Sequence, residues 1–228
     1  MLHIDILSVQ PQMFGGFLSE SIVMRASKKG ACEINIVDIK EYGIGRWHKT
    51  DDKPYGGGPG MLMRCEPVFE AVEKCLAAST SSKRARVVLT SPAGKKFTQR
   101  DAEDLSREEH VIFICGHYEG FDARIETLAT DLFSVGDFVM TGGELAAAAM
   151  TDAAVRLLPG VLGGGPAATS SESFSGEGLL EFPQYTHPVE FRGMKVPEVL
   201  LSGNHAKIEA WRKSEAKRLT HKRRPDLV

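Results

Sequence analysis

Hydrophobic positions along the chain form short strand-like runs that alternate with helix-like stretches. Residues Val111–Cys115 are apolar at every position, which is typical of a central strand covered on both faces. The predicted strands are His3–Val9, Cys32–Val37, Arg86–Thr90, Val111–Cys115 and Phe133–Val135. The predicted helices are Phe14–Arg25, Pro67–Leu76, Gln99–Leu105, Asp122–Thr130 and Glu144–Leu158. This alternation predicts an α/β fold with a parallel sheet flanked by helices.

The pattern changes after the alanine-rich stretch that begins at Glu144. Residues 160–178 are rich in Gly, Ser and Ala and poor in large apolar side chains, which predicts a mobile connecting segment. The following stretch Asn204–Leu219 predicts a basic helix. We therefore expect a domain at residues 1–160, a flexible linker at 161–177 and a small helical domain at 178–228.

Charge is distributed unevenly along the chain. The formal net charge is −2, yet the residues from Gly203 onward carry eight Lys or Arg against three acids, a net charge of +5. A basic segment of this kind favours contact with a phosphate backbone. The alternative is a solvated helix face, which is the commoner case for a charged terminal helix. The side chains of first interest are His205, Lys207, Trp211, Arg212 and Arg218.

Cysteine usage and the absence of a long apolar run indicate the compartment. The four cysteines form no Cys-x-x-Cys pair, and the chain starts on a strand-like alternation rather than on a basic leader. We expect a soluble, cytoplasmic chain with reduced thiols and no contact with a membrane.

Three glycine-bearing loops follow predicted strands, at Thr90–Gly94, Gly116–Gly120 and Val135–Glu144. Ligands of open α/β sheets bind where the carboxyl ends of strands meet such loops, and glycine lets the backbone approach a ligand closely. Any one of these loops alone could equally be a tight turn, but three together favour a shared site. A fourth loop, Asp51–Met61, contains three consecutive glycines and favours a segment that orders on binding. The sequence has no P-loop, no zinc-ligand spacing and no Gly-x-Ser-x-Gly elbow.

These loops, taken with motifs further along, resemble one family over nearly the whole chain. The carrying motifs are Asp51–Met61, Leu89–Pro92, Cys115–Gly120, Gly136–Leu145, Pro159–Gly163, Glu172–Phe174, Leu179–Pro188 and Val196–His205. Their order and spacing resemble the bacterial tRNA (guanine-N1)-methyltransferases, which belong to the SPOUT class. The resemblance implies a deep trefoil knot, S-adenosylmethionine as cofactor, tRNA contacted at its anticodon region, and a homodimer with the active site at its interface. It implies methylation of the guanine at tRNA position 37.

Roles transfer by this resemblance onto matching positions. The catalytic pair is Glu172, as a carboxylate base, and Arg156, as a cation near guanine O6; the family more commonly carries aspartate at the Glu172 position. The cofactor residues are Leu89, Thr90, Ser91, Pro92, Gly116, Tyr118, Glu119, Ser134, Val135, Gly136, Phe138, Val139, Met140, Gly142 and Gly143. The substrate residues are Asp52, Tyr55, Gly58, Gly60, Ser173, Phe174, His205 and Arg218.

Further expectations come with this interpretation. We expect no protein-bound metal site, and leave open whether a divalent cation such as Mg²⁺ assists. The segment 161–177 becomes a lid that is poorly ordered without tRNA. Two alternatives stay open: a SPOUT methyltransferase with another RNA target, and an RNA-binding relative that has lost the chemistry.

Overall fold

The computed structural model describes residues 1–79, 81–163, 169 and 171–228. It divides into two compact units, Met1–Gly163 and Gly164–Val228. The predicted linker at 161–177 lies partly outside the described residues, so its order stays a prediction. In the described part of the chain, no helix is both long and apolar enough to cross a membrane.

The first unit is built on a five-stranded sheet. Its strands are β1 (Leu2–Ser8), β2 (Cys32–Asp38), β5 (Arg86–Lys96), β6 (His110–Cys115) and β7 (Asp131–Ser134). They lie in the order β2-β1-β6-β5-β7, and every pair is parallel. Two short strands, β3 (Asp51–Asp52) and β4 (Leu62–Met63), form a separate antiparallel pair. The predicted α/β fold with a parallel sheet is confirmed.

Helices cover both faces of this sheet. They are α1 (Gly15–Ser19), α2 (Ser21–Lys28), α3 (Cys65–Ala78), α4 (Gln99–Ser106) and α5 (Glu144–Val155). Alternate residues of β6 enter two separate cores: Phe113 packs on the face of α5, and Ile112 and Ile114 pack on the face of α3. Burial on both faces explains why this strand lacks polar alternation in the sequence.

Four local predictions need correction. The stretch predicted as one helix, Phe14–Arg25, is divided because Glu20 is extended and Ser21 has a φ of 58°. The stretch Asp122–Thr130 forms a 3₁₀ helix over Ala123–Leu128, since its backbone bonds join residues three apart. Helix α5 ends at Val155 rather than at Leu158.

The fourth correction concerns the first glycine loop. Strand β5 continues through Thr90–Gly94 to Lys96, with a shift of register against β7 between Thr90 and Lys95. The glycine is required there, because a Cβ on Gly94 would lie 2.6 Å from the Leu132 carbonyl carbon. What looked like a turn is therefore an irregular strand in close contact with its neighbour.

Among its described residues, the second unit contains one long helix and several short elements. Its elements are the antiparallel pair β8 (Glu190–Phe191) and β9 (Met194–Lys195), the short α6 (Glu198–Leu201) and α7 (His205–Arg223). The Asn204 side chain accepts a hydrogen bond from the Lys207 amide and so begins α7. The predicted basic helix is confirmed.

Candidate functional site

A cavity of about 310 Å³ opens at the carboxyl edge of the five-stranded sheet. It lies where the ends of β5, β6 and β7 meet the loop that begins α5. Thirteen of the fifteen predicted cofactor residues line it: Thr90, Ser91, Pro92, Gly116, Tyr118, Glu119, Ser134, Val135, Phe138, Val139, Met140, Gly142 and Gly143. The structure therefore brings together three segments that are far apart in the sequence: the irregular part of β5 and two glycine loops.

Leu89 and Gly136 do not line the cavity. Leu89 is fully buried in the core beneath it. A Cβ on Gly136 would lie 2.5 Å from the Phe138 ring, so this glycine allows the loop to fold back on itself. Any contact of these two residues with a cofactor stays a prediction.

The floor of the cavity depends on close backbone contact between two loops. The Gly143 amide donates to the Gly116 carbonyl at 2.7 Å, and the Gly116 amide donates to Thr90 Oγ1 at 3.2 Å. A Cβ on Gly143 would lie 1.9 Å from Thr90 Oγ1, and one on Gly142 would lie 2.6 Å from His117 Nδ1. Larger residues at positions 142 and 143 would therefore fill the floor or push the loops apart.

A buried polar group lies under this floor. Glu144 is almost fully buried, and its Oε1 accepts a hydrogen bond from Ser8 Oγ at 2.8 Å. Its Oε2 lies 3.5 Å from His117 Nδ1, and in the described part of the chain neither of those two atoms has a hydrogen-bond partner. Buried polar atoms without partners mark a place where a ligand or water completes the hydrogen bonding.

Cys115 ends β6 directly beneath the same floor. Burial, and secondarily the nearby Glu144 carboxylate, raises the pKa of the Cys115 thiol well above its ordinary value. The thiol is therefore protonated at neutral pH, which excludes a thiolate nucleophile at this position.

The glycine-rich segment Asp51–Met61 packs against the second glycine loop. The Glu119 amide donates to the Met61 carbonyl at 3.0 Å, and Tyr118 Oη lies 3.1 Å from Thr50 Oγ1. A Cβ on Gly60 would collide with the Glu119 side chain. This segment therefore helps to hold Tyr118 and Glu119, two residues of the cavity wall, in place.

Seven lining residues were not named individually among the predicted cofactor residues: Leu62, His117, Gly120, Phe121, Phe133, Thr141 and Ala146. His117, Gly120 and Thr141 lie inside the predicted loops, so adjacency in the sequence was an available signal. Leu62 directly follows the predicted loop Asp51–Met61, and it reaches the cavity through pairing of β4 and through the bridge between Met63 and Phe121.

Of the predicted substrate residues in the first unit, Asp52 is held by ion pairs and Tyr55 is exposed. Asp52 forms ion pairs with Arg64 at 2.7 Å and with Lys49 at 3.3 Å. Hydrogen bonds from the Lys53 amide and the Lys49 side chain lower the pKa of Asp52, so it is ionised at neutral pH. Tyr55 is fully exposed, and Gly58 and Gly60 have positive φ. None of these four lines the cavity.

The predicted catalytic residues belong to different units. Arg156 caps the carboxyl end of α5 and is half-buried. Glu172 lines a second cavity, of about 270 Å³, within the second unit. Basic side chains of α7 line the same cavity, namely Arg212, Lys213 and Lys217. That Arg156 and Glu172 act together on one guanine stays a prediction.

The remaining substrate residues are also in the second unit. Ser173 Oγ accepts a hydrogen bond from the Glu181 amide at 2.9 Å, and Phe174 is exposed with a φ of 70°. His205 is the first residue of α7. Arg218 is paired with Glu215 at 2.6 Å, so its charge is partly neutralised within the helix.

The fold and cavity define an α/β protein with a glycine-walled ligand site at the carboxyl edge of a parallel sheet. A family model described as tRNA (Guanine-1)-methyltransferase TrmD matches residues 2–228. The chain belongs to this family.

Individual relatives agree with that assignment. The chain is similar to a protein named tRNA (guanine-N(1)-)-methyltransferase from Geobacillus kaustophilus, 52% identical over 100% of this chain and 91% of the relative. Proteins of the same name are similar to it in Listeria welshimeri, 51% identical over 100% of this chain and 92% of the relative, and in Levilactobacillus brevis, 52% identical over 100% and 89%.

Proposed function

We propose that this chain transfers a methyl group from S-adenosylmethionine to N1 of the guanine at position 37 of tRNA. The observation that carries the proposal is the cavity that two glycine loops and the irregular part of β5 enclose at the sheet edge. Its support is membership of the tRNA (guanine-1)-methyltransferase family over residues 2–228. We place the chain in the cytoplasm, where tRNA substrates are available.

The cavity suits the proposed cofactor in two respects. Gly116, Gly142 and Gly143 present main chain rather than side chains to the cavity, which fits an adenosine recognised largely through backbone groups of these loops. Exposed apolar side chains beside the opening, Phe138 and Val139, offer cover for an apolar ligand surface. When bound, S-adenosylmethionine supplies an electrophilic methyl group on a sulfonium.

The chemistry at guanine requires two protein groups. Neutral guanine carries a proton on N1, so N1 has no lone pair in the ring plane until that proton is removed. Removal leaves negative charge on O6. We assign proton abstraction to the Glu172 carboxylate and stabilisation of the O6 charge to the Arg156 guanidinium.

The surroundings of Glu172 support a role in RNA binding as well. The three basic residues that line its cavity, Arg212, Lys213 and Lys217, provide positive charge for a phosphate close to the base being methylated. Arg212 also lies over the Phe182 ring at 4.9 Å, which fixes the direction of that side chain. Binding of the anticodon region would thus bring the target guanine to Glu172.

We propose further that the active site is completed in a homodimer. The two catalytic residues lie in different units, and three apolar side chains are exposed: Phe138 and Val139, which line the cavity, and Leu145 on α5. Mixing Arg156→Ala protein with Glu172→Gln protein tests this directly. If each site takes one residue from each chain, mixed dimers contain one intact site and recover activity. Two sites each built within one chain would leave the mixture inactive.

The reaction itself is tested with the unmodified chain, S-adenosylmethionine and a tRNA transcript. Saturable cofactor binding by calorimetry and 1-methylguanosine in the nucleoside digest are expected. A 2′-O-methylated nucleoside would instead indicate a ribose methylase, and tRNA binding without any methylation would indicate an inactive relative. Repeating the assay after chelation, with Mg²⁺ added back, measures whether a divalent ion assists.

A further inference from the structure

A cluster of two histidines and an aspartate lies at the amino edge of the five-stranded sheet. His3 and Asp5 are on β1, and His110 is the first residue of β6. His3 and His110 are direct neighbours in the parallel register, with ring centroids 4.9 Å apart. One ligand atom from each of the three residues lies within 4.8 Å of the others.

We propose that His3 Nε2, His110 Nε2 and the Asp5 carboxylate bind one divalent transition-metal ion, of which Zn²⁺ is the representative. Asp5 Oδ1 lies 3.3 Å from His3 Nε2, and Asp5 Oδ2 lies 2.8 Å from His110 Nε2. Ligand atoms of a tetrahedral zinc site are about 3.3 Å apart. The three groups are therefore close to binding geometry without movement of the backbone.

Both histidines have an outer partner at the second ring nitrogen. His3 Nδ1 lies 3.5 Å from Glu33 Oε2, and His110 Nδ1 lies 3.0 Å from Ser79 Oγ. In metal sites the second ring nitrogen of a ligating histidine donates to such an acceptor, which leaves Nε2 free to bind the metal. His110 has this arrangement through Ser79, whereas His3 has only the 3.5 Å contact with Glu33, and the ion would displace the contact of Asn35 Nδ2 with His3 Nε2 at 3.4 Å.

The negative charge of Asp5 would favour binding of a cation. Asp5 is buried, and its ion pairs within the described residues are with the two histidines, not with Lys or Arg. A buried carboxylate without a permanent cation is costly, and a divalent ion would compensate it. Asn35 Nδ2, which donates to Asp5 Oδ1 at 3.3 Å, supplies only a neutral partner.

The nearby Cys75 does not complete the ligand set. Among the described residues, the ligand atoms that lie within 4.8 Å of one another belong to His3, Asp5 and His110, and the Cys75 thiol is not one of them. The fourth position is therefore left to water, which reaches the site from the side of His3, whose side chain is 30% exposed. Imidazole and carboxylate ligands favour Zn²⁺ over Mg²⁺.

This site is separate from the ligand cavity. Strand β6 begins at His110, and the cavity begins at Gly116, after the strand has ended. Six residues of extended chain separate the two by roughly 20 Å. The ion would thus join β1 to β6 and stabilise the fold rather than take part in methyl transfer.

The test uses the full chain without a histidine tag, stripped of metal and titrated with Zn²⁺. One equivalent should bind and raise the melting temperature. His3→Gln, which keeps the Asp5–His110 contact, should weaken binding at least tenfold and abolish the thermal shift. Asp5→Asn should do the same. The control His221→Gln changes an exposed histidine on α7 and should bind as the unchanged chain does.

Co²⁺ then reports on the ligands. The proposal expects visible absorption typical of nitrogen and oxygen ligands, without an intense sulfur-to-cobalt band, and its loss in His3→Gln. No stoichiometric binding of Zn²⁺, or binding that His3→Gln leaves unchanged, would overturn the proposal. A strong thiolate band would also overturn it, because it would locate the ion at a cysteine.

Discussion

The two units of this chain differ sharply in how much of them is buried. The first unit has a closely packed core on each face of its sheet. In the second unit, among the residues described, Thr220 alone is buried, and its hydroxyl oxygen accepts a hydrogen bond from the Leu180 amide. A unit with so little core depends on partners for order. We therefore propose cofactor recognition by the well-packed first unit, and tRNA recognition with proton abstraction by the second.

The basic helix of the second unit strengthens this contrast. Each acid of the segment from Gly203 onward lies beside a basic residue: Glu209 beside Arg212, Glu215 beside Arg218, and Asp226 beside Arg224. Among the described residues, the other five basic side chains of that segment have no such pair. They are Lys207, Lys213, Lys217, Lys222 and Arg223. These are the charges we expect to meet the tRNA backbone.

The largest expected effect comes from removing the proposed base. Glu172→Gln should lower turnover by roughly 10²–10⁴-fold, because the amide cannot accept the N1 proton. Cofactor affinity should stay unchanged, since Glu172 is not among the residues lining the first cavity. Single-turnover assays and calorimetry measure the two effects separately. Glu177→Gln, an exposed acid of the same segment, is the matched control, and near-normal turnover of Glu172→Gln would reject its role.

The next effect concerns the floor of the first cavity. Gly143→Ala places a methyl group 1.9 Å from Thr90 Oγ1, so the loops must separate. We expect cofactor affinity to fall by about tenfold or more, measured by calorimetry on protein shown to be folded by its melting transition. Gly16→Ala is the control, because a Cβ there meets nothing within 4 Å. Equal affinity in both variants would contradict the assigned site.

A smaller effect should follow from charge removal on α7. The Lys213→Ala/Lys217→Ala double variant should weaken tRNA binding. It should also reduce the slope of log K against log salt concentration by an amount that corresponds to up to about two phosphate contacts. Filter binding over a range of salt concentrations gives the slope. Lys28→Ala/Lys74→Ala removes the same charge from the first unit and should leave the slope unchanged. An equal loss of tRNA affinity in the two double variants would mean that α7 does not contact the tRNA backbone preferentially.

The smallest effect tests an ion pair that holds the edge strand of the first unit. Arg86 donates two hydrogen bonds to Asp131, at 2.8 and 2.9 Å. Burial acts to raise the pKa of Asp131, but the hydrogen bonds from Arg86 and Thr130 outweigh it, and the pKa is lowered. Asp131→Asn should therefore reduce the free energy of unfolding by about 2 kcal/mol near neutral pH.

The pH dependence has a definite sign. A carboxyl with a lowered folded-state pKa stabilises above its ordinary pKa, and this contribution is lost as the pH falls through the folded value. The difference between the unchanged chain and Asp131→Asn should thus be full at neutral pH and shrink in acid. Urea unfolding at several pH values measures it, with the exposed Glu126→Gln as control. A difference that grows in acid would contradict this assignment.

The sequence predicted the parts of the fold that depend on local patterning. Strand β6 was predicted to within one residue, because continuous burial leaves a continuous apolar run. The extension of β5 through Gly94 was missed, because a glycine after a strand-like run is expected both at a turn and where two strands lie in close contact. The break at Glu20 depends on a positive φ at Ser21, which no periodicity reveals.

The candidate site divides in the same way. The three loops of the first unit were predicted because each carries glycines next to a strand, and strand order then brings them together. Leu62 directly follows the predicted loop Asp51–Met61, but the bridge between Met63 and Phe121 that brings it to the cavity is a long-range contact that the sequence does not reveal. The knot, the dimer and the pairing of Arg156 with Glu172 depend on long-range chain arrangement, and they rest on the resemblance.

The central claim, that this chain methylates the guanine at tRNA position 37, is tested most directly with two transcripts that differ only at that position. One carries guanine and the other adenine. The account predicts 1-methylguanosine with the first and no methyl transfer at that position with the second. Equal methylation of both transcripts would contradict it.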